Sequence, residues 1–138
     1  MKLFIAQLDY PKPKSAQSDL AHASPGADGK LQLIRRKSRV EVAVPTHSNT
    51  LVAFPDALFS RFETFLCYRA GGWTREGNIH GGWMSSSRTI VSEGHRKYFI
   101  ITPPAAASDT AAEIAAYVCR EFEQEAVLVT ISEIDTTI

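Results

Sequence analysis

The amino-acid sequence predicts an α+β domain, and three observations predict it. From Arg39 onward, strand-like and helix-like stretches succeed one another as strand, helix, strand, strand, helix, strand. Two stretches repeat apolar residues at the helical spacing of three and four: Leu58, Phe59, Phe62, Phe65 and Leu66, then Ala111, Ile114, Ala115, Val118 and Phe122. Around them lie runs that alternate, or are continuously apolar, over a few residues only, which is strand length. A chain in this order closes most simply as a four-stranded antiparallel sheet with both helices on one face, the ferredoxin-like βαββαβ arrangement, with extra N-terminal strands beside it. The 138 residues, 44% hydrophobic, suffice for one core. A single domain is expected over 1–138, with N-terminal strands and a flexible loop over 1–37 and the ferredoxin-like core over 38–134.

Lys2 to Asp9, KLFIAQLD, is short and mostly apolar with no helix cap before it, and reads as a strand. Tyr10 to Gly29 is rich in Pro, Ser, Ala, Gly and Asp without any period, and reads as a mobile loop in which His22 is solvated. Lys30 to Val44 gives two strand pieces hinged near Lys37 and Ser38. In the second piece Val40, Val42 and Val44 alternate with Glu41 and Ala43, so one face is buried. The basic run Arg35, Arg36, Lys37 and Arg39 is a solvated hairpin or a source of cations for a neighbouring site.

Asp56 to Gly71 is the first helix, with Asp56 as its cap and Gly71 as its left-handed exit. A strand over Phe62 to Arg69 is the alternative, but alternation would then mix Glu63 and Arg69 with Phe65 on one face. Gly72 to Met84 reads as a twisted or bulged strand, Ser85 to Ser87 as a turn, and Arg88 to Glu93 with His95 to Thr102 as the returning partner. Pro103 and Pro104 end it. Ser108, Asp109 or Thr110 with Glu113 supplies a capping signal for the second helix. Ala126 to Ile131 is a continuous apolar strand, after which the tail to Ile138 frays or forms an interface. A sheet with helices on one face leaves the other needing cover, so a homo-oligomer, dimer or higher, is expected.

Formal net charge is zero, which argues against the broad positive field of non-specific nucleic-acid binders. Residues 1–97 hold 14 Lys/Arg against 8 Asp/Glu, whereas residues 98–138 hold one against 7, so the ends neutralise one another or the basic part prepares a site for an anion. No apolar run approaches the ~20 residues that span a bilayer, and the start lacks signal-peptide features, so a cytoplasmic protein without membrane association is expected. Cys67 and Cys119 sit on the two helices among apolar neighbours, as reduced, buried thiols.

The unusual chemistry concentrates between Gly71 and Thr102. His80 and His95 fit no zinc spacing with the cysteines, and there is no nucleophile elbow or Walker-type loop, so neither metal nor cofactor is expected. Trp73 and Trp83 can stack on a ring; Arg75, Arg88 and Arg96 can fork onto phosphates; Asn78 and His80 can read a base or ribose edge. Gly77, Gly81 and Gly82 allow close approach of the backbone, although glycines in strands also mark bulges. One Trp belongs in the core, and Trp83 is the better candidate; Trp73 should be partly exposed. The ligand-binding candidates are therefore Trp73, Arg75, Asn78, His80, Arg88, His95 and Arg96.

Three functions follow from these residues. The first is a non-catalytic module binding a small anionic, nucleotide-like ligand; in size and composition the chain resembles small phage-type proteins that sequester signalling nucleotides. The second is a small dimeric enzyme using His95 with Glu93, or His80, in acid/base roles, since Glu93 and His95 share one face of a regular strand and a carboxylate beside an imidazole orients it. Gly94 between them threatens that geometry, and an exposed pair at a hairpin edge is the plain alternative. The third is a purely structural interaction protein.

Gly81 to Trp83, then TIVSEGHRKYFII with Glu93, then AAYVCREFEQEAVLV with Tyr117 and Phe122 to Val127, resemble a family of bacterial and phage-associated proteins known only as a domain of unknown function. That family has Gly-x-Trp ending its second strand, a Glu starting the third, and an aromatic-rich helix closing in Phe-Gly-Gln-Glu-Ser-Val. The likeness covers about residues 38–130, with Glu123 for Gly, Ala126 for Ser, and an N-terminal extension as departures. It implies the ferredoxin-like fold and transfers no activity, because none comes with the family.

Overall fold

The computed structural model describes residues 21–25 and 31–137, with side chains described from Ile34 onward. The expected strand Lys2 to Asp9 lies outside the described residues. The elements are β1 (Ala21–Pro25), β2 (Leu31–Pro45), α1 (Asp56–Ala70), β3 (Thr74–Met84), β4 (Ile90–Thr102), a 3-10 turn (Pro104–Ala106) running into α2 (Ala107–Glu121), and β5 (Val129–Thr137).

All strand pairings are antiparallel. Ser38 to Val42 of β2 pair with β4 and β5 at once, so those two lie on opposite edges of β2, and the central order is β5-β2-β4-β3. Ile34 and Arg35 pair with both β1 and β5, which places β1 on the β4 side of β2, beyond the end of β4. This is the ferredoxin-like α+β fold with an additional N-terminal strand.

The core lies on one face. Val40, Val42 and Val44 of β2, Tyr98 and Ile100 of β4, and Val129 of β5 meet Leu58, Phe59, Phe62 and Leu66 of α1 and Ala107, Ala111, Ile114 and Val118 of α2. Phe62 is its centre. Its ring is edge-on to Tyr98 at 5.2 Å and to Phe122 at 6.1 Å, an arrangement that suits the aromatic quadrupoles. α1 ends where Gly71 enters the left-handed region at φ 85°, its N–H bonding to the Cys67 carbonyl at 2.9 Å.

The local signals fail at several places. Asp56 is not the cap: Pro55 holds that position without a side-chain bond, and Asp56 lies in the first turn, where its charge complements the helix dipole. The Ser108, Asp109 or Thr110 cap with Glu113 is also not made, because the Pro103–Pro104 turn starts the helix earlier, at Ala107. β2 does not hinge at Lys37 and Ser38, since Ser38 is gripped by β4 on one side and β5 on the other. β4 runs unbroken through Gly94 for the same reason, with β2 and β3 as its neighbours. β1 falls in the stretch read as loop. β5 starts later than Ala126, and its polar tail does not fray but pairs along Ile34 to Val42, with Arg36 bridging Glu133 at 3.6 Å and Asp135 at 3.5 Å. In all four strands the backbone ladder overrides side-chain propensity. Cys67 is exposed on the outer side of α1 and Cys119 is half-buried, its thiol pKa pushed up by burial.

The face away from the helices was expected to need cover. Around its middle it carries half-buried charges: Arg39 donates to Glu41 at 2.7 Å and to Glu76, while Lys97 bridges Glu76 at 3.0 Å and Glu41 at 3.5 Å. Arg39 also lies 3.7 Å over the Phe99 ring.

Replacing Phe62 by Ala leaves a ring-sized cavity at the junction of both helices and the sheet. The expected loss is about 3–5 kcal/mol, read as a shift of the urea midpoint at unchanged slope.

Candidate functional site

β3 is an edge strand. α1 packs over β4, and α2 over β2 and β5, so the helix-side surface of β3 is left largely uncovered among the described residues. Residues paired across an antiparallel ladder share a face. Arg75 pairs with Tyr98, Asn78 with Arg96 and His80 with Gly94, so Arg75, Asn78 and His80 form an exposed row on the helix side.

Strict alternation would put Arg75 and Asn78 on opposite faces. They share one because β3 carries an extra residue between Arg75 and Gly77, a bulge that shifts the side-chain phase by one. Gly77 takes φ 121°, a conformation open in practice to glycine. The residue displaced by the bulge, Glu76, joins the ion pairs on the opposite face.

Next to the first part of this row is a cleft of about 580 Å³, walled by Asp56, Phe59, Ser60 and Glu63 of α1 and by Trp73, Arg75 and Arg96. Arg96 is held in place: its guanidinium lies 3.8 Å over the Phe59 ring and donates to Asp56 Oδ1 at 3.2 Å. Tyr98 donates its hydroxyl to Glu63 Oε2 at 2.7 Å, and burial, followed by that bond, pushes its pKa up to about 12. Trp73 rests edge-on against Tyr98 with ring centres 5.8 Å apart and stays 40% exposed, as its place in the sequence suggested. The cleft therefore gathers an aromatic surface, two guanidinium groups and two carboxylates.

A second cleft, of about 570 Å³, lies where β2 ends against β4. His47, Ser48, Asn49 and Leu51 of the following loop face His80, Trp83, Val91, Ser92 and Glu93 there. The loop is tied down by Thr46 N–H to the Gly94 carbonyl at 3.0 Å. Gly94 suits that contact, since a Cβ would stand a tight 3.1 Å from Thr46 Oγ1 and in ordinary contact, 3.5 Å, with His80 Cε1.

The other sequence candidates separate. His95 pairs with Ile79 on the face away from the helices, so it cannot join Arg96 and Trp73. Gly94 does not break the Glu93–His95 geometry. Both side chains are buried rather than exposed, at 8% and 2%, with Glu93 Oε2 3.6 Å from His95 Nε2. Arg88 sits in the turn beyond Met84, at φ 62°, at the opposite end of the hairpin from Arg75. Ser85 and Ser87 build that turn, their hydroxyls 2.8 Å apart. Trp83 is not core, because its pairing with Val91 directs it away from the helices; it is half-buried beside the second cleft, its indole N–H enclosed without a hydrogen-bond partner among the described residues. Among the described residues no three His, Cys, Asp or Glu side chains gather as a metal site, and no helix is long and apolar enough to cross a membrane.

Asp56, Phe59, Ser60 and Glu63 were missed as cleft residues. Their spacing of three, four and seven was a legible signal that they share one side of α1.

No family model matches the chain, and no curated protein matches it. Among solved structures it is similar to a phage SAM lyase in complex with S-methyl-5'-thioadenosine, at 16% identity and a TM-score of 0.49, covering 75% of this chain and 88% of that one. It is likewise similar to a phage SAM lyase in the apo state, at 13% identity and a TM-score of 0.48, covering 75% and 87%.

A methyl group at Gly77 meets nothing within 4 Å, so Gly77→Ala tests backbone strain alone. The expected loss is about 1–3 kcal/mol in urea unfolding, and an unchanged midpoint means that the bulge relaxes without difficulty.

Proposed function

We propose that the chain binds a small anionic, nucleotide-like ligand in the cleft between α1 and β3, and that binding is its function. The observation that carries this reading is the convergence of Trp73, Arg75 and Arg96 in one cleft of about 580 Å³, a volume in the ordinary range for small-molecule sites. Arg75 makes no ion pair among the described residues, leaving its fork for an anion. Trp73 offers an exposed ring surface for stacking. The carboxylates of Asp56 and Glu63 balance the arginines and suit hydroxyl or amino donors, as a ribose supplies, so the cleft selects for more than charge. Sequestration of the phage type, assembly into a homo-oligomer, and membership of the family that Gly81–Trp83 resembles belong to this reading; native mass spectrometry reports subunit number and retained ligand together.

Calorimetry with nucleoside mono-, di- and triphosphates tests the site. Arg75→Ala and Trp73→Ala are each expected to weaken binding by about 1–3 kcal/mol, and Arg88→Ala to leave it unchanged. Equal affinity in all three variants removes the cleft as the site.

A second reading, acid/base catalysis, is favoured by one observation: the buried Glu93–His95 pair, with Glu93 in the wall of the second cleft and His80 across it. Both pair members are shut in, so catalysis needs that wall to open. If the chain turns over a nucleotide substrate, His95→Ala abolishes turnover and spares binding; retained turnover eliminates the pair as the catalyst.

A further inference from the structure

We infer that the second cleft is a ring subsite continuous with the first, so that the ligand is two-ringed, of the dinucleotide class. This rests on the reading of the first cleft as a nucleotide site.

The two clefts adjoin. Arg96 borders the first, while Gly94 and His80 border the second, and the pairs Asn78–Arg96 and His80–Gly94 are consecutive on the helix side of the hairpin. Consecutive same-face pairs are separated by about 7 Å, two residue rises of a strand. A ligand anchored on Arg96 by its anionic linkage therefore lies one such step from the His80 and Gly94 side of the second cleft.

The second cleft has the chemistry of a ring site. On the side continuous with Arg96, Leu51 of the loop gives it an apolar wall and His80 and Ser92 polar ones, while Trp83 and Val91 border it from the other face of the hairpin. The backbone adds a specific edge. In an antiparallel ladder the N–H and C=O of one residue point to the same side of the strand, and every second residue repeats that direction. The Gly94 carbonyl accepts from Thr46 on the β2 side, so Ser92 presents its N–H and C=O on that side too, where β2 has already ended at the Pro45–His95 pair. A donor beside an acceptor on a protein edge is complementary to the amide or amidine edge of a nucleobase. Stacked against the apolar wall, such a ring would continue the β2–β4 ladder by one further pair of hydrogen bonds.

The test compares the four nucleoside 5'-monophosphates with the four corresponding linear homodinucleotides by calorimetry, on wild type and on His80→Ala, an exposed position whose replacement leaves the core intact. In wild type at least one dinucleotide is expected to bind tenfold or more tightly than its mononucleotide, and His80→Ala is expected to erase that advantage while leaving mononucleotide affinity unchanged. Equal affinity for the two classes overturns the second subsite, as does a loss in His80→Ala that falls equally on both. If neither class binds, the nucleotide reading of the first cleft fails, and this inference with it.

Discussion

β4 carries two incompatible sets of side chains on alternate residues, and the pleat of the strand keeps them apart. Arg96, Tyr98 and Ile100 turn toward the helices, whereas Glu93, His95, Lys97 and Phe99 turn away. Because β4 is paired on both edges, its register cannot slip by one residue without carrying Lys97 into the core and Tyr98 out of it. β3 then copies that division residue by residue, with the bulge at Gly77 resetting the copy. The helix-side row of Arg75, Asn78 and His80, and the ion pairs made by Glu76 on the other side, are two results of the same inserted residue.

Charge is handled by the same architecture. The basic and acidic ends of the sequence meet where β2 runs beside β5, in Arg36 with Glu133 and Asp135, and between the helices, in Arg69 with Glu113. Exposed pairs of this kind contribute little stability individually. They do bring opposite charges from the two ends of the chain together, so the arginines of the α1–β3 cleft are a local feature rather than part of a field over the surface. There Arg96 is held by an aromatic ring beneath and a carboxylate beside it, while Arg75 is exposed.

The position of the cleft follows from packing. Two helices are too few to roof four strands, and both are drawn to the strands with the largest apolar faces, β2 and β4, by Phe62 and its neighbours. The edge strand is left uncovered, and the polar residues of the hairpin fall there. The loop after β2 leaves a further gap against the Ser92 edge of β4 by the same logic, since a strand that stops short exposes the backbone of its neighbour.

Much of this was legible in the chain itself. The helical spacing of Leu58, Phe59, Phe62 and Leu66, the alternation of Val40, Val42 and Val44, and the glycine exit at Gly71 are local patterns, and local patterns specify element type, order and the core face. They were enough for the ferredoxin-like arrangement, and for Trp73, Arg75 and Arg96 to be picked out together. What they could not specify was the face on which each hairpin residue ends, because one inserted residue inverts the alternation and nothing before pairing says where the insertion falls. The insertion brings Asn78 and His80 onto the face of Arg75 and turns Trp83 away from the core expected for it; His95, next to Arg96 on β4, falls on the opposite face by alternation, Arg88 lies at the far turn, and Asp56 and Glu63, read as parts of a helix, are walls of the cleft. The sequence by itself determined the elements and their apolar faces, through interactions within a few residues; the tertiary structure alone decided the membership of the site, because register and the bulge are properties of two strands together.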